Sequence, residues 1–474
     1  MASDSTTRPN RIHLRPSEQR AILFVGDVIV TIIAVIIALN YWAYQDAQFN
    51  FSIRFVLERV PGWFYLLPFG WLILLVDLYD VHRASNLWDT IRGIAVAAIA
   101  GFIVYAVIYL LSPKGSLPRQ GVGAYLAVAA ILTLIWRLIY IRLYTDPAFM
   151  RRVLIIGAGN AGSTLVSSYR KLWPPPFFLV GLIDDDPTKI DSAIEGYPIL
   201  TSSDKLLELI EEQGISDLIV AINGEIQGAT FQKLLDAQEQ GIEIIRMQTI
   251  YEELLGRVPI QHLESDWIIR SFVDETRMQG LYEVGKRLLD IIGSFVGILI
   301  LALLFPFIAI FTMLDSGFPI FYKQMRLGRG AKPYTIFKFR TMRNNAESDG
   351  KAVPAAKNDP RITRVGNFLR RTRIDELPQF FNVLRGEMSI VGPRSERPEL
   401  VENYQKQVPF YRARLLVKPG ITGWAQINFG YVSTVEDTII KLEYDLYYIK
   451  HRSLITDISI ILRTIGTVLG FRGR

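Results

Sequence analysis

Lys286-Arg-Leu-Leu-Asp-Ile-Ile-Gly-Ser-Phe-Val-Gly-Ile-Leu-Ile-Leu-Ala-Leu-Leu-Phe-Pro306-Phe-Ile-Ala-Ile-Phe-Thr-Met-Leu314 is the stretch that decides how this chain is organised. Its apolar part, 288–314, is long enough to cross a bilayer, which takes about 20 residues. Both flanks are basic, however: Lys286 and Arg287 precede it, and Lys323, Arg326, Arg329 and Lys332 follow it. Basic flanks stay on the cytoplasmic side, so each end asks for the same face of the membrane. Pro306 lies inside the stretch, where it removes a helix hydrogen bond and clashes with the preceding turn. The economical expectation is a helix broken at Pro306 that dips into one leaflet and returns.

Upstream, four further apolar stretches occupy 21–41, 62–78, 94–111 and 124–144. Apolar on every side, they have no solvent face, which disfavours a soluble bundle and predicts four transmembrane helices over 21–145. Residues 1–20 are polar and carry Arg8, Arg11, Arg15 and Arg20, so they read as a cytoplasmic segment and not a signal peptide. Arg83, Arg92, Arg142, Arg151 and Arg152 favour the cytoplasm for the inner loops, against Arg54, Arg59, Lys114 and Arg119 in the outer ones.

Between the spans and the broken helix, 151–265 reads as a Rossmann-like α/β domain. Arg152-Val-Leu-Ile-Ile-Gly-Ala-Gly-Asn-Ala-Gly162 runs a buried strand into Gly157, Gly159 and Gly162, followed by a helical stretch over 163–171. A second strand over 178–183 ends at Asp184, about where an acid meets a ribose in a dinucleotide site. A bound nucleotide and a ligand-free packing module are both open, since a fold does not fix a function.

Composition narrows the chemistry. A chain of 474 residues suggests two or three units, and it is half hydrophobic with a mean hydropathy of +0.24. It has no cysteine, which excludes disulfides, thiolate zinc and cysteine nucleophiles. His13, His82, His262 and His451 are scattered, so any metal is a hard ion on oxygen ligands, such as Mg²⁺. The net charge of +6 comes with no basic run or nucleic-acid motif, so membrane topology accounts for it better than nucleic acid does.

The polar remainder, 280–474, carries Lys338-Phe-Arg-Thr-Met342, Leu369-Arg-Arg-Thr-Arg-Ile-Asp-Glu-Leu-Pro378, Val391-Gly-Pro-Arg394 and Lys418-Pro-Gly-Ile-Thr-Gly-Trp-Ala-Gln426. Adjacent carboxylates such as Asp375 and Glu376 are common on solvated surfaces. Here Arg370, Arg371 and Arg373 precede them, and arginine both keeps a carboxylate ionised and offers forked donors to phosphate. An ionised carboxylate can attack phosphorus, and a neighbouring one can help hold Mg²⁺ against the phosphates. That pattern is consistent with phosphoryl transfer, where positioning and charge neutralisation do most of the catalysis.

From about Tyr282 onward these motifs, with Leu442-Glu-Tyr-Asp-Leu-Tyr-Tyr-Ile-Lys450 and Asp457, resemble the bacterial sugar transferases, the polyprenyl-phosphate hexose-1-phosphate transferases. The layout resembles their long form: a four-helix transmembrane bundle, a central α/β domain, and a monotopic catalytic domain with a re-entrant helix. The resemblance implies a UDP-hexose donor, glucose or galactose first, and undecaprenyl phosphate as acceptor. It implies Asp375 as nucleophile, Glu376 as helper through Mg²⁺ or a proton, and Lys338, Arg340 and Arg394 as diphosphate ligands. A homodimer in the bacterial inner membrane, with the site on its cytoplasmic face, initiating exopolysaccharide, capsule or O-antigen synthesis, is expected on the same ground.

Two other classes are open. A membrane-bound NAD-dependent dehydratase or epimerase would use Gly157–Gly162 and a Tyr-x-x-x-Lys pair, a spacing that Tyr282 and Lys286 possess. No second Gly-x-Gly-x-x-Gly follows. A non-enzymatic export scaffold would leave the clustered Lys338, Arg340, Asp375, Glu376 and Arg394 without a use.

Overall fold

The computed structural model describes residues 16–45, 51–111, 118–144, 150–173, 175–224, 226–263, 280–343, 359–430 and 434–469. Arg8, Arg11, Arg15 and Lys114, used above for topology, and the boundary at 265 lie outside the described residues. Contacts divide the chain into two units, Met1–Leu254 and Leu255–Arg474.

In the first unit three helices have the length and apolarity of membrane spans: Pro16–Gln45, Leu87–Leu111 and Arg119–Tyr144. The remaining apolar stretch departs from expectation. It folds as a 3₁₀ turn (Gly62–Leu66), a short α-helix (Leu67–Leu74) and a second 3₁₀ turn (Val76–Tyr79). Pro68 lies in the first turn of the α-helix, the one place its missing N–H is harmless, so the ladder restarts there. Trp42, Phe55, Phe64, Trp71 and Tyr125 fill the core of the bundle. Asp27 and Arg137 form a fully buried ion pair at 2.6 Å, and Arg137 also donates to the Leu78 carbonyl at 3.0 Å. The outward faces carry Ile29, Ile32, Ile36, Phe102, Ile103 and Ile131, all exposed, which suits lipid and not water.

The α/β part of this unit holds a six-stranded sheet in the order β3-β4-β2-β1-β5-β6. The strands are β1 (Arg152–Ile156), β2 (Phe178–Ile183), β3 (Ala193–Ile194), β4 (Tyr197–Thr201), β5 (Asp217–Val220) and β6 (Glu243–Arg246). All pair in parallel except β3 with β4. The expected strand, glycine turn and helix are present, the helix starting at Asn160, three residues early. The hairpin of β3 and β4 was not anticipated. Its turn, Glu195-Gly196, has positive φ at both residues (+53° and +93°), the conformation a two-residue hairpin needs. Gly157, at φ +103°, takes the chain off β1, and a Cβ on Gly162 would stand 2.1 Å from the Gly157 carbonyl oxygen. Only glycine tolerates that approach.

The second unit is built on one helix of 37 residues, Gly280–Ser316, with Pro306 inside it. A small domain contacts this helix at its start, middle and end. Lys286 Nζ meets Asp457 at 2.9 Å, Arg287 donates to the carbonyls of Val383 and Leu384, and Asp290 accepts from Ser389 and Ile390. At Gly293 and Gly297 the side chains of Ile390 and Phe380 come so close that a Cβ would overlap them. Leu301, Leu304 and Ile308 cluster with Phe339, Leu369, Ile374 and Leu377, and Asp315 accepts the Val365 N–H at 2.9 Å. Leu288, Ile292, Phe295, Leu299, Leu303 and Phe307 face outward and exposed.

The domain comprises an antiparallel hairpin of β7 (Phe321–Leu327) and β8 (Pro333–Phe339) and a parallel pair of β9 (Ser389–Val391) and β10 (Gly420–Thr422). Val391, Tyr411, Leu442, Leu446, Tyr448 and Ile460 form its main core, closed by the helices Val435–Lys450 and Leu454–Leu469.

Candidate active site

The helix Arg364–Arg371 begins at Thr363, whose hydroxyl accepts the Gly366 N–H. It ends as Arg373 turns left-handed, at φ +56°, and the chain enters a 3₁₀ helix, Ile374–Gln379. That reversal sends Asp375 and Glu376 inward, and both are buried. Ile374 and Leu377 of the same turn pack on the membrane helix, which fixes the two carboxylates just above it. Strand β8 runs alongside with Phe339 in the core and Lys338 on Glu376.

The two acids have unequal surroundings. Glu376 Oε1 accepts from Lys338 Nζ at 2.7 Å and from Arg394 NH2 at 3.0 Å, and Arg373 lies 3.8 Å from Oε2. Asp375 accepts no hydrogen bond among the described residues, although the charges of Lys338, Arg370 and Arg394 all act on it. Burial favours the neutral acid in both cases. For Glu376 the opposing pull of Arg394, then Lys338 and Arg373, is larger and holds it well below the usual carboxylate range. For Asp375 burial comes first, the Glu376 charge adds to it, and the carboxyl is pushed up to about 6. Lys338 is pulled below the ordinary lysine range by burial, partly offset by Glu376.

This asymmetry sets a pH profile. A nucleophilic Asp375 works only when ionised, so kcat/KM should fall about tenfold per pH unit below about 6 and level off above it. Initial rates from pH 4.5 to 8.5 test this; a flat profile down to pH 5 would remove Asp375 as the titrating group.

The expected residues are not all brought together. Lys338, Asp375, Glu376 and Arg394 form one cluster, but Arg340 is elsewhere: its guanidinium donates to the Ser316 carbonyl at 2.7 Å and to that of Gly317. It caps the end of the membrane helix, where free carbonyls attract a cation. Arg370 and Arg373, which the sequence places beside the acids as cations that keep a carboxylate ionised, belong to the cluster; Arg370 Nε also donates to the Thr341 hydroxyl at 2.8 Å. Sequence reading missed a supporting network. Arg414 donates to the Arg394 carbonyl and to Asp445, each at 2.9 Å, and also approaches Glu396. It is 31 residues from Asp445, so no local signal reveals the pair. The motif glycines have a structural use as well. A Cβ on Gly392 would stand 2.4 Å from the Lys418 carbonyl, and one on Gly423 would stand 2.1 Å from that of Gly392. They let β9 and β10 approach closely enough to hold the Gly-Pro-Arg turn against Glu376.

Among the described residues no group of three or more acids and histidines could hold a metal. The donors present still fit Mg²⁺, which takes one or two carboxylates and fills its shell with water and phosphate oxygens. Glu376 Oε2 is buried without a hydrogen bond, and Asp375 is uncommitted, so two carboxylates have capacity to spare.

In the α/β sheet, Asp184 is already engaged. It accepts the Ala158 N–H in the glycine turn at 2.7 Å and the Asp186 N–H at 3.0 Å, and Lys189 lies 3.2 Å away. Tyr282 and Lys286, the pair with dehydratase spacing, are both bound to Asp457, at 3.2 and 2.9 Å.

Comparison with known proteins gives two family matches. A family model described as bacterial sugar transferase matches residues 281–471, and one described as CoA-binding domain matches 75–238. A UDP-N-acetylgalactosamine-undecaprenyl-phosphate N-acetylgalactosaminephosphotransferase from Aeromonas hydrophila is 42% identical over 234 residues. That match covers 49% of this chain and 54% of the relative, so the chain spans about half of that protein's length. A UDP-glucose:undecaprenyl-phosphate glucose-1-phosphate transferase from Xanthomonas campestris pv. campestris is 31% identical, covering 84% of each chain. An undecaprenyl-phosphate glucose phosphotransferase from Komagataeibacter xylinus is 30% identical over 94% of this chain and 83% of its own.

Proposed function

Because this chain belongs to the bacterial sugar transferase family, we propose that it moves hexose 1-phosphate from a UDP-hexose to undecaprenyl phosphate through an aspartyl-phosphosugar on Asp375. The observation that carries this reading is the contrast between the acids: Glu376 is paired with Lys338, Arg373 and Arg394, while Asp375 is buried within the charges of Lys338, Arg370 and Arg394 with its carboxylate accepting no hydrogen bond among the described residues.

In the first step an Asp375 carboxylate oxygen attacks the β-phosphorus of the donor. The bond from that phosphorus to the bridging oxygen breaks, and UMP leaves with the electron pair. In the second step a phosphate oxygen of the lipid attacks the same phosphorus and restores the Asp375 carboxylate, giving undecaprenyl-diphospho-sugar. Lys338, Arg370 and Arg394 neutralise the charge that gathers on the phosphoryl oxygens. Glu376 keeps Lys338 and Arg394 in position, and its free oxygen would hold Mg²⁺, which supplies further charge neutralisation when bound. No proton transfer is required, since both attacking oxygens are anionic.

The long helix is read as re-entrant. A single folded domain contacts it at Lys286 and again at Asp315 and Ser316, and both flanks are basic, which supports cytoplasmic exposure of both ends. Chemistry on the cytoplasmic face of the inner membrane then follows, where a soluble nucleotide sugar and a membrane lipid can meet. A cysteine introduced at Lys323 should label only from the cytoplasmic side; labelling from outside would refute the re-entrant reading.

The activity test uses the full chain in detergent with Mg²⁺, undecaprenyl phosphate and, in turn, UDP-glucose, UDP-galactose and UDP-N-acetylgalactosamine. Lipid-dependent UMP release is expected with one donor preferred. Turnover that needed NAD and ignored the lipid would favour an oxidoreductase instead.

A further inference from the structure

The Lys418-Pro-Gly motif has a second feature that the phosphotransfer reading leaves unused. Its lysine side chain lines an open cleft at the start of the long helix, lined also by Glu283, Asp290, Arg287, Arg329 and Arg452. The cations outnumber the acids, and of the acids Asp290 is engaged. Asp290 is held by the Ser389 hydroxyl and the Ile390 N–H, each at 2.9 Å, and Glu283 meets Arg329 only at 3.9 Å. The Lys418 ammonium has no ion pair or hydrogen bond among the described residues. It and the Arg287 guanidinium both reach within 4.0 Å of the point where a Cβ on Gly386 would sit. Two cations that flank one point repel each other, and an anionic ligand between them removes that cost.

We propose that this cleft is a binding site for a phosphate-bearing anion, separate from the catalytic cluster and placed at the membrane surface. Separation follows from the helix. Phe380, next to the turn bearing Asp375, packs at Gly297, ten residues beyond Arg287, or about 15 Å at 1.5 Å per residue. Placement follows from the same helix: directly after Arg287, Leu288, Ile291 and Ile292 are 57%, 43% and 56% exposed, an apolar surface that suits acyl chains. Arg287 is fixed by the Val383 and Leu384 carbonyls and so presents a preformed edge, while Arg329 and Lys418 are left to close on the ligand. Phosphate is the anion that suits converging arginine and lysine donors. It can arrive on the headgroup of an acidic phospholipid or as a free phosphate, and the chemistry of the cleft serves both. The inference does not depend on which residue attacks the donor.

The test titrates the purified full chain in neutral detergent with phosphatidylglycerol, with phosphatidylcholine and with inorganic phosphate, reading the thermal midpoint. Phosphatidylglycerol or inorganic phosphate should raise the midpoint and phosphatidylcholine should not. Half-saturation should weaken about fivefold in Lys418→Gln and in Arg329→Gln, the worth of about one basic contact at a membrane surface. Arg329 is half exposed, so its variant keeps the fold. Lys332→Gln removes an equal charge from the neighbouring surface outside the cleft and should leave half-saturation unchanged. A response to the lipid alone identifies a headgroup, and an equal response to inorganic phosphate identifies a soluble anion. Equal half-saturation in wild type, Lys418→Gln and Arg329→Gln would overturn the site, as would equal weakening by Lys332→Gln.

Discussion

Asp375→Asn is expected to lower UMP release by at least about a thousandfold while leaving the protein folded, because an amide cannot form the covalent intermediate. The change is nearly isosteric, and Asp375 holds no hydrogen bond among the described residues that would be lost. Its stability effect should oppose its activity effect. Burial and the Glu376 charge raise the Asp375 carboxyl above its unfolded value, so its ionised form works against folding above about pH 6. That penalty fades as pH falls through the window between the unfolded and folded values. The Asn variant should therefore show an equal or higher thermal midpoint at pH 8 and converge with the wild type near pH 4. With the lipid withheld, the wild type should accumulate a protein-bound phosphosugar detectable by intact mass, and the variant none. A variant that retained substantial UMP release would move the nucleophile elsewhere.

Glu376→Gln should be damaging for a different reason. Among the described residues Glu376 is the one carboxylate bonded to both Lys338 and Arg394, so its loss leaves the largely buried Lys338 and the partly exposed Arg394 without that partner. Breaking a fully buried pair from one side costs about 3–5 kcal/mol, and the variant should lose less than that, because solvent screens the 39% exposed Arg394 while Lys338 is largely buried. The sign with pH is opposite to that at Asp375. The Glu376 carboxyl is depressed, so its contribution is present above the unfolded carboxylate value and is lost on acidification. The gap between wild type and variant should therefore be widest at neutral pH and shrink below about pH 4. Activity should fall about a hundredfold as Lys338 and Arg394 lose their positions. If Glu376 served mainly to hold Mg²⁺, the outcome would differ: stability would be nearly unchanged, and the metal concentration for half-maximal rate would rise.

The parts of this protein legible in the sequence were those written in local pattern. Long apolar runs marked three of the spans and the helix Gly280–Ser316, because hydrophobic length is a property of consecutive residues. Gly157, Gly159 and Gly162 marked a strand, turn and helix for the same reason: the tight approach of Gly162 to Gly157 is made five residues apart. Where local pattern misled, a competing local feature explains it. Pro68 divides an apolar stretch that hydropathy alone reads as one helix. The Glu195-Gly196 turn went unread because β3 is only two residues long.

The helix that opened the reading was visible as a conflict between two basic flanks and one apolar run, but the break expected at Pro306 is not seen: Gly280–Ser316 runs through it as a single helix. The sequence also determined that two adjacent carboxylates sit among arginines. It could not divide their labour. Lys338 and Arg394 lie 38 and 18 residues from Glu376, and both reach that acid and not its neighbour because β8, the left-handed Arg373 and the close pairing of β9 with β10 aim them there. Arg340 differs from Lys338 by two positions, and the fold sends it to the end of the membrane helix instead. Charge type is carried by each residue alone, but the choice of partner depends on distances of a few ångströms across elements far apart in the chain. Only tertiary packing sets those distances, and here they leave Asp375 free.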